Sequence, residues 1–402
     1  HDDICRTVLE VTEGINLCKY VDFSNRNSHG YDAVMMFNLV ILAKALFGYA
    51  STRHLERLCQ TDIRFMFIAK NQKPSHQSFQ RFIHDDLTMN IEDIFYDVNR
   101  YLQLNMDINT DVLCIDGTKY EANANKNTFI WRANTIRYRT NRWKKTLNCI
   151  HKINNYFSGV NITARYSLLK EPSIDYLLSI SEKLEKYMLD ENIQMVHGKG
   201  CRKAPVQKLY DELKDNALKL WEYAMHMDML GNRNSCSKTD PDAAFMHMKY
   251  DYYNHTNVFK PGYNIQFGIS DGIIRNIYIS SDGNDLRTYI PFMEKYKKAY
   301  GSIPKKTPAD AGYGSYDNYS YCKENNIELY MKYSGYYKEK EKVTDKNRFK
   351  SVHFTKNEEG DFICPAGYAF ELEKETEDSR GVYPRINKHY INRHCAVCPL
   401  KS

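Results

Sequence analysis

The sequence predicts a mixed α/β protein preceded by an all-helical N-terminal region. Three observations carry this. Apolar residues recur at helical spacing through about residue 105. Two β-rich runs, Tyr263–Ser270 and Ile273–Ser280, flank Asp271-Gly272, a strong hairpin signal. From Leu286 to Lys332, helical and extended stretches then alternate, as in an α/β layout.

In the N-terminal region, Met35, Leu39, Leu42, Leu46 and Phe47 form one stripe. Ser51 reads as an N-cap, with Leu55, Leu58 and Cys59 on the face that follows. Ile63–Ile68 is a short apolar element, Asn71-Gln72-Lys73-Pro74 a turn, and Ser75 a cap for a helix carrying Phe79 and Phe82. Arg53, Arg57, Arg64, Lys70, Lys73, His76, Gln77, Gln80 and Arg81 are expected outside. Short helices, tight turns and such an exterior suit a helix-turn-helix-like DNA reader. A plain helical bundle with a solvated face fits the same pattern.

A strand is expected over residues 111–116. The basic tract after it starts as a loop and continues as helix. Residues 173–230 read as a helical hairpin, with one stripe of Leu177, Leu178, Ile180, Leu184 and Met188 and another of Val206, Leu209, Leu213, Leu220, Trp221 and Met225, broken at His197–Gly200. Asn232–Lys238 is a polar linker. A helix over Leu286–Tyr300, a short strand ending at Asp310, a helix over about Ser315–Asn325 and a strand over Ile327–Lys332 complete the α/β part. The implied domains are 1–105, 106–335 with a helical insertion over about 170–235, and a polar, β-rich, cysteine-containing segment 336–402.

The 402 residues are 42% hydrophobic and 26% charged, enough for two or three folded domains. The net charge of +6 is a weak argument for a nucleic-acid partner; local clustering is the stronger one. Eleven cysteines are scattered, which fits a reducing cytoplasm better than a disulfide framework. The longest apolar stretch, Ala33–Phe47, is interrupted by Asn38 and Lys44 and is too short to span a bilayer. The expectation is a soluble cytoplasmic protein with no membrane partner.

Asp116 ends the apolar run Val112–Ile115, and Gly117-Thr118 reads as a turn. No Asp or Glu occurs from Ala122 through Lys170, whereas Lys126, Arg132, Arg137, Arg139, Arg142, Lys144 and Lys145 add positive charge. Pro308-Ala309-Asp310-Ala311-Gly312-Tyr313 repeats the design of an acid at a strand end before glycine. Ligands of such sheets gather at the carboxyl ends of strands. Two carboxylates sharing a site repel, and a divalent cation relieves the repulsion. Mg²⁺ or Mn²⁺ suits the oxygens, and two ions can assist an in-line displacement. The bland alternative is that each Asp merely caps a turn. Lys119, Lys126 and Arg132 are placed to hold a phosphate backbone, with Arg137, Arg139, Arg142, Lys144 and Lys145 extending the surface. Trp131 and Trp143 could stack on an unpaired base or pack in a core. Asp240 before Pro241 reads as a helix cap. Cys364, Cys395 and Cys398 suggest a zinc knuckle with one ligand to find, past Ser402 or at His389 or His394.

The motifs VLCIDGTKYEANANKNTFIW, SKTDPDAAFMHMKYD, KPGYNIQFGISDG and ADAGYGSYDNYSYCKENNIELYMK occur in this order. Together they resemble bacterial insertion-sequence transposases of the DDE class, with an RNase H-like catalytic core. FGYASTRHLERLCQTDIRFMFIAKNQKPSHQSFQRF resembles the helical domain before that core. The resemblance implies that Asp116 and Asp310 are catalytic and bind the metals, and that Asp240 lies near the catalytic face. It also implies that double-stranded DNA (terminal repeats and target) is the partner, and that a homodimer forms on DNA. It implies a third acid, a glutamate on a later helix. Glu328 reads as structural, Glu371, Glu373 and Glu375 lie in a run without the expected helix, and the chain ends read as cut, so that acid is expected beyond Ser402. A DNA-binding remnant or regulator without chemistry is the alternative.

Overall fold

The N-terminal helices follow from capping and burial. The computed structural model describes residues 3–20, 30–198, 200–248, 258–333, 335–344, 347–398 and 400. Lys199, Lys249, Tyr250 and Asp251, which belong to stretches named above, and Ser402 lie outside them. Asp3 caps α1 (Ile4–Glu13), Asp32 caps α2 (Ala33–Phe47), and Ser51 caps α3 (Thr52–Thr61). Asp62 caps α4 (Ile63–Ile68), and Ser75 caps α5 (His76–Arg81). Each side chain accepts a backbone N–H of the first turn, satisfying a donor that the helix cannot. After α5 the chain makes one π-helical turn, Phe82–Leu87, and then forms α6 (Ile91–Asn105). Leu39, Leu42, Leu55, Phe65, Phe79 and Phe82 make the core of this region.

Two compact units emerge from the contacts. One comprises His1–Asp116, Gln266–Tyr278 and Tyr289–Ser402; the other comprises Gly117–Ile265 and Ile279–Thr288. β1 (Cys114–Glu121) and the later strand β5 run from one into the other.

In the second unit, β2 (Phe129–Trp131) leads into α7 (Arg132–Gly159), which packs with α9 (Pro205–Leu230). α8 (Ile174–Asp190) packs on α9 as well. The helical insertion is therefore a three-helix assembly beginning at Arg132, not a hairpin beginning near residue 170. Cys149, Ile150, Ile153 and Phe157 of α7 share one core with Leu177, Ile180, Leu184, Val206, Leu213 and Leu220. Trp221 and Met225, expected in a buried stripe, are exposed at 53% and 42%.

β3 (Ser235–Ser237) pairs antiparallel with β2, so part of the expected linker is buried strand. It turns at Pro241-Asp242 into β4 (Ala244–His247). Asp240 is thus in a β-turn rather than at a helix start. Its main-chain oxygen accepts the Ala243 N–H, and its carboxylate accepts the Tyr263 hydroxyl at 2.7 Å.

The sheet orders β1, β5 (Phe259–Ser270) and β4 in sequence, with β6 (Ile273–Ser280) also on β5 through the Asp271-Gly272 turn. Asp271 and Gly272 both take the positive φ, 47° and 79°, that such hairpin turns demand. On the other side of β1, residues 306–309 pair with it in parallel, and Glu328 pairs in parallel with Lys306. α10 (Tyr289–Tyr300) and α11 (Tyr316–Glu324) cover this part, burying Leu113, Ile115, Tyr289, Phe292, Tyr313 and Tyr321. The observed class is mixed α/β with helices before and within it.

Arg275 on β6 is fully buried and has no carboxylate partner among the described residues. Its guanidinium donates to the Asn99 carbonyl at 3.0 Å and lies 4.6 Å from the Tyr300 ring centroid. Tyr96 donates to the Asn276 amide oxygen at 2.6 Å. Both contacts tie α6 to the hairpin within the first unit. The C-terminal segment forms α12 (Tyr336–Glu339), the pair β7 (Thr355–Lys356) and β8 (Phe362–Ile363), and a hairpin of β9 (Glu371–Asp378) with β10 (Arg385–Ile391). Glu371, Glu373 and Glu375 lie on β9, an antiparallel strand, not on a helix.

Candidate active site

The apolar run that precedes Asp116 is one face of a strand. Leu113 and Ile115 are buried at 0% and 3% exposure, whereas Cys114 and Asp116 are exposed. Side chains alternate faces along a strand, so Asp116 stands opposite the core. The strand does not stop there, contrary to the expected turn at Gly117. β1 continues to Glu121, and Ala122 still donates to the Pro261 carbonyl at 2.9 Å. What ends at this level is the neighbour. Residues 306–309 leave the sheet after Asp310, whose side chain accepts the Gly312 N–H at 2.8 Å and caps a short 3₁₀ turn.

The register fixes how these two acids relate. Val112 pairs with Lys306 and Ile115 with Ala309, an offset of 194 residues both times. Asp116 and Asp310 are separated by the same 194, one residue further along each strand. Ile115 donates to the Pro308 carbonyl at 2.8 Å, and Asp310 retains extended dihedrals (φ −73°, ψ 175°). Adjacent strands lie about 4.8 Å apart, so the two aspartates are side by side on one face. The bland reading holds for half of Asp310: one carboxylate oxygen caps the turn, leaving the second for other partners.

The ground beneath the pair is buried and hydrogen-bonded. Thr307 is fully buried, and its hydroxyl hydrogen-bonds that of Tyr289 at 2.6 Å. Burial pushes the Tyr289 phenol far above its ordinary range. Tyr313, just past Asp310, is buried and donates its hydroxyl to Gln266. Asn318 donates to the Tyr313 carbonyl at 2.6 Å. A β-carbon on Gly314 would come within 2.4 Å of the Lys332 carbonyl oxygen and 2.6 Å of the Tyr319 hydroxyl, so the turn closes only with glycine. Tyr289, Thr307 and Gln266 escaped the sequence reading, because a single polar residue in an apolar strand or helix gives no periodic signal.

Two carboxylates on adjacent parallel strands are a hard-oxygen donor set of the kind Mg²⁺ accepts with most of its waters retained. Among the described residues, no group of three or more His, Cys, Asp or Glu is gathered. Glu328 is exposed and pairs with Lys306 at 3.4 Å. Cys364, Cys395 and Cys398 are free thiols outside any such group.

The expected DNA-contacting residues lie in the second unit and divide by their present partners. Arg132 is engaged internally: its guanidinium donates to the Gly231 and Arg233 carbonyls, closing the end of α9. Arg142 pairs with Asp215 at 2.9 Å, and Lys119 donates to the His247 carbonyl at 3.0 Å. Lys126 pairs with Glu121 at 3.2 Å. Hydrogen bonding from Lys260 and then Lys126 holds the Glu121 carboxyl below its usual range. Arg137 lies over the Tyr138 ring, 5.1 Å from its centroid. Arg139 is half-buried, and Lys144 and Lys145 are exposed on α7. Trp143 is buried and donates to the Lys170 carbonyl at 3.3 Å, which settles it as packing. Trp131 is 38% exposed and packs edge-on against Phe245, with ring centroids 4.9 Å apart.

The fold and the site thus define an α/β protein with two acids in register on adjacent inner strands and an all-helical region before it. Residues 3–85, part of the helical region, match the family described as Transposase domain (DUF772), which supports a transposase family for this chain and DNA as its partner in general. No match is found among curated proteins or among solved structures. Among the described residues, no single helix is long and apolar enough to cross a membrane.

Proposed function

We propose that this chain is a DDE-class transposase that binds the ends of its own element and cuts and joins DNA there. The observation that carries the proposal is the register match of Asp116 with Asp310 on neighbouring parallel strands. The transposase-domain match at residues 3–85 supports it. So does the strand order β6, β5, β1, 306–309, 328, with the last three parallel, which is the order expected of an RNase H-like core.

In this reading Asp116 and the second oxygen of Asp310 hold Mg²⁺ or Mn²⁺, and the Gly312 N–H orients the Asp310 carboxylate. The cation would supply Lewis acidity and offset charge on the transferred phosphate. The protein's own contribution is positioning: a strand pair buried on one side offers two fixed acids on the other, so little rearrangement remains at reaction. Lys144, Lys145 and Arg137 on α7 attract the backbone, and their contacts make binding salt-dependent. The active assembly on DNA is a homodimer.

The test is nicking of a supercoiled plasmid carrying the genomic flanks of the coding sequence, with Mg²⁺, Mn²⁺ or EDTA. Divalent-dependent nicking confined to the flanks, lost in Asp116→Asn and Asp310→Asn, is the expected result. Nicking that survives both substitutions would overturn the assignment. Flank binding without nicking by the unsubstituted chain would instead select a DNA-binding protein without chemistry.

A further inference from the structure

The segment His76–Leu87 has a face that the fold does not use. Phe79, Phe82 and Leu87 point into the N-terminal core at 0%, 2% and 8% exposure. On the outside, Gln77, Gln80, Arg81, His84 and Asp85 line an open cleft of about 470 Å³. The spacing of 77, 80, 81 and 84 puts these side chains on one helical face. The π-helical turn, in which Thr88 donates to the Ile83 carbonyl at 3.1 Å, keeps His84 and Asp85 both on the open side.

Some basic groups of the same unit are held by acids. Arg64 is held by Asp62 at 2.7 Å, His76 by Glu56 at 2.8 Å, and Arg100 by Asp97 at 2.5 Å. Gln77, Gln80, Arg81 and His84 make no side-chain hydrogen bond or ion pair among the described residues. The helix is presented by a tight turn after α4, in which Lys70 and Asn71 take positive φ of 50° and 63°. Helix, turn and helix, with the second helix polar outside, is the arrangement that enters a major groove.

We propose that the outer face of His76–Leu87 reads base edges in the major groove of duplex DNA, with Gln80 and Arg81 as specificity-determining residues. This deepens the transposase reading and rests on it. An arginine fork matches the two acceptors of guanine, and a glutamine amide matches the donor–acceptor pair of adenine. Asp85 in the same cleft accepts from the cytosine amino group and repels phosphate, which favours a base-directed face over a backbone-directed one.

The experiment is enrichment of a randomised duplex library by the full chain in Ca²⁺, followed by titration of the enriched and scrambled duplexes. The unsubstituted chain should enrich a motif. Arg81→Ala and Gln80→Ala should each weaken binding to it by about 5- to 150-fold, while binding to the scrambled duplex changes by about twofold. Arg81→Lys keeps the charge and should still lose discrimination at one guanine, because a point charge cannot make the bidentate contact. Failure of the unsubstituted chain to enrich a motif, or the same motif at unchanged affinity in all three variants, would overturn the proposal. Divalent-dependent plasmid nicking by Arg81→Ala is measured alongside. If nicking persists while the motif result fails, this proposal falls and the catalytic reading stands.

Discussion

Tyr289→Phe removes one oxygen, and its consequence can be worked out from the structure. The phenol is fully buried and touches Thr307 Oγ1 at 2.6 Å and Cys322 Sγ at 3.2 Å. Thr307 is also fully buried, so the substitution leaves its hydroxyl orphaned in the core. An orphaned buried hydroxyl costs about 1–3 kcal/mol. Thr307 is three residues before Asp310, on the strand that delivers that acid. The expected result is about 5- to 150-fold faster opening of residues 305–313, read by hydrogen exchange with mass spectrometry. Adding Thr307→Val removes the orphan and should recover much of the loss, as a double-mutant cycle would register. Exchange in Tyr289→Phe equal to that of the unsubstituted chain would refute the idea that this pair braces the strand.

Three further expectations follow from other parts of the molecule. Gly314→Ala forces a methyl against the Lys332 carbonyl at 2.4 Å and should lower the urea midpoint by an amount equivalent to about 1–3 kcal/mol, the range for overpacking. For Asp97, burial alone would raise the carboxyl, but hydrogen bonds from Lys19 and Tyr20, the Lys19 charge and Arg100 outweigh it, so its pKa is below the ordinary value. A depressed acid stabilises the fold above the ordinary aspartate range and loses that stability as pH falls through it; Asp97→Asn should therefore flatten the acid limb of stability, measured between about pH 5 and pH 2. On α7, Lys144→Ala with Lys145→Ala should reduce the salt slope of DNA binding by about two without changing stability, whereas Arg132→Ala should loosen the end of α9.

The parts of this fold that the sequence discloses are those with local causes. Ser51 and Ser75 cap because a hydroxyl before a helical stripe satisfies the first-turn donors, and both do so here at 3.2 and 3.3 Å. Asp271-Gly272 turns because both positions need positive φ. The apolar alternation before Asp116 has a local cause too, burying Leu113 and Ile115 and leaving Asp116 on the opposite face. The parts that misled have tertiary causes. Gly117 and the polar residues after it read as a turn, yet ladder hydrogen bonds from β5 keep them extended. α7 reads as basic and solvated, and its buried positions Cys149, Ile150, Ile153 and Phe157 are too sparse among polar neighbours to announce a third helix of the insertion. Asp240-Pro241 suits a helix start or a turn equally, and pairing of β2 with β3 decides for the hairpin. Trp221 and Met225 look like core on a helical stripe, but α7 and α8 pack on other sides of α9.

The central claim is that Asp116 and Asp310 act as one divalent-cation site. Mn²⁺ titration of the full chain, followed by electron paramagnetic resonance of the free ion, tests it without requiring DNA or turnover. The account predicts a bound class of Mn²⁺ that Asp116→Asn and Asp310→Asn each weaken by at least about tenfold, and that Glu328→Gln leaves intact. Equal Mn²⁺ binding by the unsubstituted chain and by both aspartate variants would contradict it.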